Sequence, residues 1–165
     1  MIEIRSVEDP ASLAAARSLV RDHMAAHSAI HDAEAIERVI AALPAPYLAP
    51  RGGLWVAWEG AEALGCVALH ALAPATAELK RMYVRPEARG RGIARRLSEH
   101  AIAVATAQGY ARVRLGTLPS MRAAQQLYES LGFRRIAPYR EVEFGETWFY
   151  ERGLGGPSAT PPDQT

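Results

Sequence analysis

The run Arg89-Gly90-Arg91-Gly92-Ile93-Ala94 has the residue types and spacing to hold an anion. It lies between a strand-like stretch, 78–84, and a helix-like stretch that begins near Ile93. Glycines let the main chain approach a ligand closely, and the first N–H groups of a helix have no intrahelical partner. Those donors and the positive end of the helix dipole suit a phosphate or pyrophosphate. The arginines add diffuse positive charge. A phosphate-bearing ligand is therefore the first inference. Two common phosphate loops do not fit. The continuation Ile93-Ala94-Arg95 lacks the third glycine of a dinucleotide fingerprint, and no Gly-Lys-Ser/Thr follows.

The elements that must position this run can be read from periodicity. Ile2–Val7 alternates as a strand. Asp9-Pro10 starts a helix carrying Leu13, Arg17, Val20 and Met24, and Ile36, Val39, Ile40 and Leu43 mark a second helix over about Asp32–Leu43. Leu54–Trp58 and Ala63–His70 form a hairpin, followed by a strand over Ala77–Val84. Ile93, Leu97, Ala101 and Val104 share one helix face that ends at Gly109. Arg112–Leu118 is the next strand. A helix opening at Pro119-Ser120 carries Ala124, Leu127, Tyr128 and Leu131 on one face and stops at Gly132. Phe133–Ala137 and Thr147–Glu151 are two final strands. This order predicts a single α/β domain over residues 1–152 with one central mixed sheet. The Gly, Pro, Ser and Thr of 153–165 have little to bury and predict a disordered C-terminal tail.

One strand breaks its own pattern. In Ala77–Val84 the apolar residues are Ala77, Leu79, Met82 and Val84, so the step from Leu79 to Met82 is three rather than two. An extra residue near Lys80-Arg81 restores a single apolar face, which predicts a β-bulge.

Composition limits the function classes. A chain of 165 residues at 49% hydrophobic and 22% charged supports one ordinary globular core. The net charge of +1 argues against a polyanion binder, so any attraction for an anion is local. The cationic cluster of Lys80, Arg81, Arg85, Arg89, Arg91, Arg95 and Arg96 has no interleaved aromatic platform, which disfavours nucleic acid. Cys66 is the only cysteine, so no internal disulfide forms, and it reads as a buried strand thiol. His23, His27 and His31 recur every four residues but lack an accompanying ligand set. They predict a solvated stripe or the rim of a pocket rather than a metal site. No apolar run is long enough to span a membrane, and Met1–Arg5 reads as a strand rather than a signal peptide, so a cytoplasmic location is expected.

The residues from Leu79 to Leu97 resemble the acetyl-CoA-binding motif of the GCN5-related N-acetyltransferases (GNAT). Arg89, Gly92 and Ala94 fill the signature of Arg or Gln, two residues, Gly, one residue, then Gly or Ala. About 35 residues on, Leu127-Tyr128-Glu129-Ser130-Leu131-Gly132-Phe133 resembles the family's second motif. The order of elements over residues 1–152 is similar as well. The resemblance implies a mostly antiparallel sheet of about seven strands, with a splayed V between the fourth and fifth.

It also implies roles. Backbone groups of Met82, Tyr83 and Val84 would pair with the pantetheine arm of coenzyme A, as an added strand does. Main-chain N–H groups of Gly90, Arg91, Gly92, Ile93 and Ala94 would hold the pyrophosphate, with Arg89 ordering the loop or meeting a phosphate. A backbone N–H near the bulge would stabilise charge on the thioester oxygen. Tyr128 would be the general acid for the departing thiolate and Glu78 the general base for the amine. Met121 stands where the family often has an Asn that contacts the cofactor, and Ser120 beside it is the candidate substitute. The activity expected is transfer of acetyl from acetyl-CoA to a primary amine of a small molecule or peptide, by direct attack and without a metal. The partner expected is that amine, with no nucleic acid or membrane, and the chain acting as a monomer or homodimer. A non-catalytic acyl-CoA-binding module is the competing expectation. The acceptor is expected between the Asp22–Tyr47 region and the loop 138–146. There Glu141, Glu143 and Glu146 favour a cationic amine, with an amino acid or a peptide N-terminus open.

Overall fold

The computed structural model describes residues 1–27, 32–142 and 146–155. Strand β1 (Ile2–Ser6) leads into α1 (Pro10–Ala25), whose start is fixed by Asp9 and Ser12. The Asp9 carboxylate accepts from the Ser12 N–H at 2.7 Å, and the Ser12 hydroxyl accepts from the Asp9 N–H, so two orphan donors are satisfied reciprocally. Helix α2 (Ala33–Ala42) follows, with the Asp32 side chain as its cap. Then come β2 (Gly53–Glu59), β3 (Glu62–Ala73) and β4 (Thr76–Val84). A short 3-10 turn at Pro86–Ala88 leads to α3 (Ile93–Ala107), β5 (Arg112–Thr117), α4 (Arg122–Ser130), β6 (Arg134–Ile136) and β7 (Trp148–Gly153).

The seven strands form one sheet in the order β1-β2-β3-β4-β5-β7-β6. Every pairing is antiparallel except β4 with β5. Parallel neighbours need a crossover, and α3 supplies it. Alternation over residues 66–69 of β3 divides the core in two. Cys66 and Ala68 face α1 and α2, where Leu19, Val20, Ile36 and Ile40 are buried. Val67 and Leu69 face α3 and α4, where Leu97, Ala101 and Tyr128 are buried. A fully buried leucine such as Leu97 contributes about 1.5–3 kcal/mol of transfer free energy. No helix among the described residues is long and apolar enough to cross a membrane.

Two departures from a regular sheet prepare the site. First, β4 and β5 pair only through Thr76–Arg112, Ala77–Val113 and Glu78–Arg114. Beyond Glu78 they diverge, which is the expected V. Second, the register of β3 on β4 slips: Cys66 faces Tyr83 but Ala68 faces Lys80. One residue of β3, Val67, thus opposes two of β4, Arg81 and Met82. This is the bulge anticipated from the Leu79-to-Met82 step, and it places Leu79, Met82 and Val84 together against the α3 side. Arg81 takes φ +55°, and it is the one non-glycine residue with positive φ among the described residues. Local contacts hold that conformation: the Cys66 thiol donates to the Arg81 carbonyl at 3.2 Å, and Arg81 Nε donates to the Tyr47 hydroxyl at 3.1 Å.

Boundaries shift where local chemistry overrides periodicity. Helix α4 begins at Arg122 rather than at Pro119-Ser120, because the Gln125 side chain donates to the carbonyls of Leu118 and Pro119 and holds them in a turn. Strand β3 extends beyond His70 to Ala73. At the C-terminus β7 reaches Gly153, and the Leu154 N–H donates to the Ala111 carbonyl at 2.8 Å. The tail expected from 153 onward is thus tied to the sheet at its first residues, and 156–165 lie outside the described residues.

The end of α4 is closed by Gly132 at φ +89°. The Gly132 N–H donates to the Glu129 carbonyl and the Phe133 N–H to that of Tyr128, both at 3.0 Å. This is a Schellman cap, and its hydrophobic contact is the edge-to-face pair of Phe133 and Tyr128, with centroids 5.7 Å apart. The Leu-Gly-Phe end of the second motif therefore anchors the ring of Tyr128. A Cβ on residue 132 meets only ordinary contacts, so the penalty of Gly132→Ala is conformational. It is expected to be about 1–2 kcal/mol, lowering the thermal midpoint by about 3–6 °C in a melting scan. An unchanged midpoint contradicts the cap.

Candidate active site

The divergence of β4 from β5 opens a cleft of about 770 Å³. One wall is Met82, Tyr83 and Val84, whose strand edge lost its partner at Glu78. The opposite wall is Ser120, Leu127 and Tyr128 from α4 and the turn before it. Arg89, Gly90, Gly92, Ile93 and Ala94 line the end where α3 begins.

Gly92 is the N-cap of α3 at φ +76°, with Gly90 at φ +80°. An L side chain at either position pays the left-handed penalty. The first backbone bond of the helix runs from the Arg96 N–H to the Gly92 carbonyl at 3.1 Å. The N–H groups of Ile93, Ala94 and Arg95 precede it, and no side chain caps the helix. An uncapped helix start at the end of a cleft is suited to a pyrophosphate. Arg89 orders the loop by donating from Nε to the Val84 carbonyl at 3.1 Å, and its guanidinium lies 5.9 Å from the Tyr83 ring. Arg91 differs from the other expected contacts. It does not line the cleft, and its side chain pairs with Glu59 at the end of β2.

Tyr128 is buried, and its hydroxyl makes no hydrogen bond among the described residues. Burial pushes the phenol above its ordinary value, so the proton stays on oxygen throughout the neutral range. A neutral phenol facing a cleft is a donor waiting for an acceptor. Met121, at the position of the family Asn, is the N-cap of α4 and makes no side-chain cap bond. The Gln125 clasp does the fastening there, and Ser120 remains a cleft-lining hydroxyl.

Glu78 lies at the last paired position of β4, on the α1–α2 side of the sheet, and is 2% exposed. It is not a surface charge. His70, directly across on β3, bonds Glu78 Oε1 through Nε2 at 2.9 Å. The Tyr139 hydroxyl donates to Oε2 at 2.5 Å and Arg140 Nε to the same oxygen at 3.4 Å, with Lys80 Nζ 4.0 Å from Oε1. Burial alone would raise this carboxyl. The bonds from His70 and Tyr139 and the charges of Lys80 and Arg140 outweigh burial and hold it at about 2. A carboxylate so well served is a weak base on its own. Sequence reasoning found Glu78 but not the side chains around it. The hairpin register, which sets His70 opposite Glu78, was the missing signal.

His23 and His27 line the mouth of the cleft, with the His23 ring 5.6 Å from that of Tyr83. They form a pocket rim, while His31 and Glu143 lie outside the described residues. No group of three or more potential metal ligands occurs among the described residues. Cys66 is buried behind the bulge and pushed up to about 12 by burial, so it offers no thiolate to carry an acyl group.

The sequence model of the acetyltransferase (GNAT) family matches residues 16–133. An uncharacterised N-acetyltransferase of Schizosaccharomyces pombe is 34% identical over 140 residues, covering 84% of this chain and 86% of that protein. The N-acetylaspartate synthetase of Danio rerio is 40% identical over 104 residues, covering 62% of this chain and 37% of that protein. In fold, a Salmonella typhimurium acetyltransferase solved with its cofactor acetyl-CoA superposes with a TM-score of 0.74 at 23% identity, covering 99% of both chains.

Because the Glu78 carboxyl is depressed, its ionised form favours the folded state. That contribution is full above the ordinary carboxyl value of 4.5 and is lost as pH falls toward about 2. It is on the order of 3 kcal/mol. Denaturant titrations of the wild type are therefore expected to show stability falling steeply between those limits. In Glu78→Gln the same fall should be shallower, and an equal fall in both proteins contradicts the account.

Proposed function

This chain belongs to the GNAT acetyltransferase family, and on that premise we propose that it moves an acetyl group from acetyl-CoA to a primary amine of a small molecule or peptide. The amine attacks directly while both substrates are bound. The observation that carries this reading is the cleft where β4 and β5 part. Into one space it gathers an uncapped helix start, an unpaired strand edge and a buried phenol with an unused hydroxyl.

The cleft fits the carrier at each point. Bound there, acetyl-CoA supplies an activated acyl carbon and a thiolate leaving group. Main-chain N–H groups at Gly90, Gly92, Ile93 and Ala94 take the pyrophosphate, aided by the α3 dipole. The edge of Met82, Tyr83 and Val84 pairs with the amide-bearing arm, as a further strand would. This aims the reactive carbon at the bulge, where a β4 N–H faces the carbonyl oxygen as charge builds on it. Tyr128 donates its proton toward the sulfur as the bond to carbon breaks.

The amine must shed a proton before it attacks. We place that proton on the Glu78–His70 pair at the root of the V. A carboxylate held at about 2 is a poor proton acceptor by itself, and the His70 ring bonded to its Oε1 offers the pair a second ring nitrogen. Glu78 thus holds the ring in place and balances the charge it gains. A small amine enters from the α1–α2 side, past His27 and the rim of the cleft. An amino-acid amine of the kind implied by the name of the Danio rerio relative falls within this acceptor class.

Tyr128→Phe is expected to leave coenzyme A affinity within about twofold of wild type. It should lower turnover by about tenfold or more in a free-thiol release assay. Unchanged turnover removes Tyr128 as the proton donor. Equal loss of affinity and turnover would assign it a packing role instead.

A further inference from the structure

The side chains at the root of the V carry more positive than negative charge. Lys80, Arg81 and Arg140 gather along the acceptor side of β4, and Glu78 is the one carboxylate in ion-pair range of any of them among the described residues. That carboxylate already accepts from His70 and Tyr139. Arg81 forms no ion pair among the described residues, and its Nε is spent on the neutral Tyr47 hydroxyl. Lys80 and Arg140 are partly exposed, with side chains 32% and 39% accessible. Lys80 and Arg140 therefore share one carboxylate that is saturated with partners, and Arg81 beside them has none. Cations in such excess are stabilised by a bound anion. In agreement, the Lys80 ammonium is held below its ordinary value by burial and by Arg81, with Glu78 only partly offsetting them.

The location decides which anion. The pyrophosphate end of the cleft lies at Gly90–Ala94, beyond the far end of β4. Lys80 and Arg81 precede Met82 directly, within about 7 Å of strand at 3.3 Å per residue. They lie beside the point where the acyl carbon and the attacking amine must meet. The acids that favour a cationic acceptor in the sequence do not counter this. Glu141 and Glu146 are exposed, and the Glu146 carboxylate is engaged by Trp148 Nε1 at 2.9 Å.

Resting on the transferase reading above, we infer that the acceptor carries a carboxylate close to its amine, and that Lys80, Arg81 and Arg140 receive it. The preferred substrates are α-amino acids or compounds of the same pattern, not polyamines or amino sugars. Fixing the carboxylate on the cations turns the neighbouring amine toward His70 and the bulge.

The test uses two acceptor sets with acetyl-CoA and free-thiol detection. One set is the proteinogenic α-amino acids, and the other is the matching decarboxylated amines together with putrescine and spermidine. At least one amino acid is expected to be acetylated with kcat/KM about 100-fold or more above its decarboxylated counterpart. Lys80→Gln, Arg81→Gln and Arg140→Gln should each raise KM for that amino acid by about tenfold or more. In each variant KM for acetyl-CoA should stay near wild type, which a general loss of structure would not allow. Turnover restricted to amines without a carboxylate overturns the inference but leaves the transferase reading standing. Absence of thiol release with every acceptor of both sets overturns the inference. Amino-acid turnover with KM unchanged in all three variants overturns the assignment to these side chains.

Discussion

The parting of β4 from β5 after Glu78 is the constraint on which the rest of this structure depends. A parallel pair that ends after three residues leaves backbone groups of β4 without a sheet partner. In a closed sheet those groups would be spent on a neighbour. Here they face a cleft instead, and the bulge at Arg81–Met82 widens the gap by adding a residue to one strand only. Because the bulge shifts the side-chain alternation, Met82 and Val84 return to the α3 side while Lys80 and Glu78 remain on the α1–α2 side. On the proposed reading the two faces of one strand serve two partners, the carrier on one and the acceptor on the other.

Strained and uncapped backbone collects where a ligand must approach. Arg81 lies in the left-handed region, a conformation costing on the order of 1–3 kcal/mol. The Cys66 thiol and the Tyr47 hydroxyl hold it there. Gly90 and Gly92 take the same region without a side-chain penalty and leave the α3 amides open. On the opposite wall the Schellman cap at Gly132 and its Phe133 contact fix Tyr128. The Arg95 guanidinium donates to the Ser130 hydroxyl at 2.6 Å and ties the two helices that frame the cleft.

Much of this was legible in the sequence because it depends on local chemistry. The helix cap at Asp9, the glycines at 90, 92 and 132, and the three-residue step in β4 each announce their own geometry. The two motifs fall on opposite walls of one cleft. What could not be read were partners brought together by register and by loops. Nothing near Glu78 in the chain names His70, eight residues earlier, or Tyr139 and Arg140, about sixty residues later. Glu78 was therefore legible as a carboxylate at a promising place but not as a buried one held by four side chains. Likewise Arg91 lay in the right motif, yet its side chain turns to Glu59, a residue from another strand.

The proposed chemistry requires that main-chain amides at the start of α3 and along the free edge of β4 grip one carrier molecule. Amide-resolved NMR during titration with coenzyme A tests it most directly. The largest shifts are expected on Gly90, Gly92, Ile93 and Ala94 and on Met82 to Val84, saturating together with one dissociation constant. Saturable binding that leaves those amides unmoved, or shifts confined to the β1–β2 side of the sheet, would contradict it.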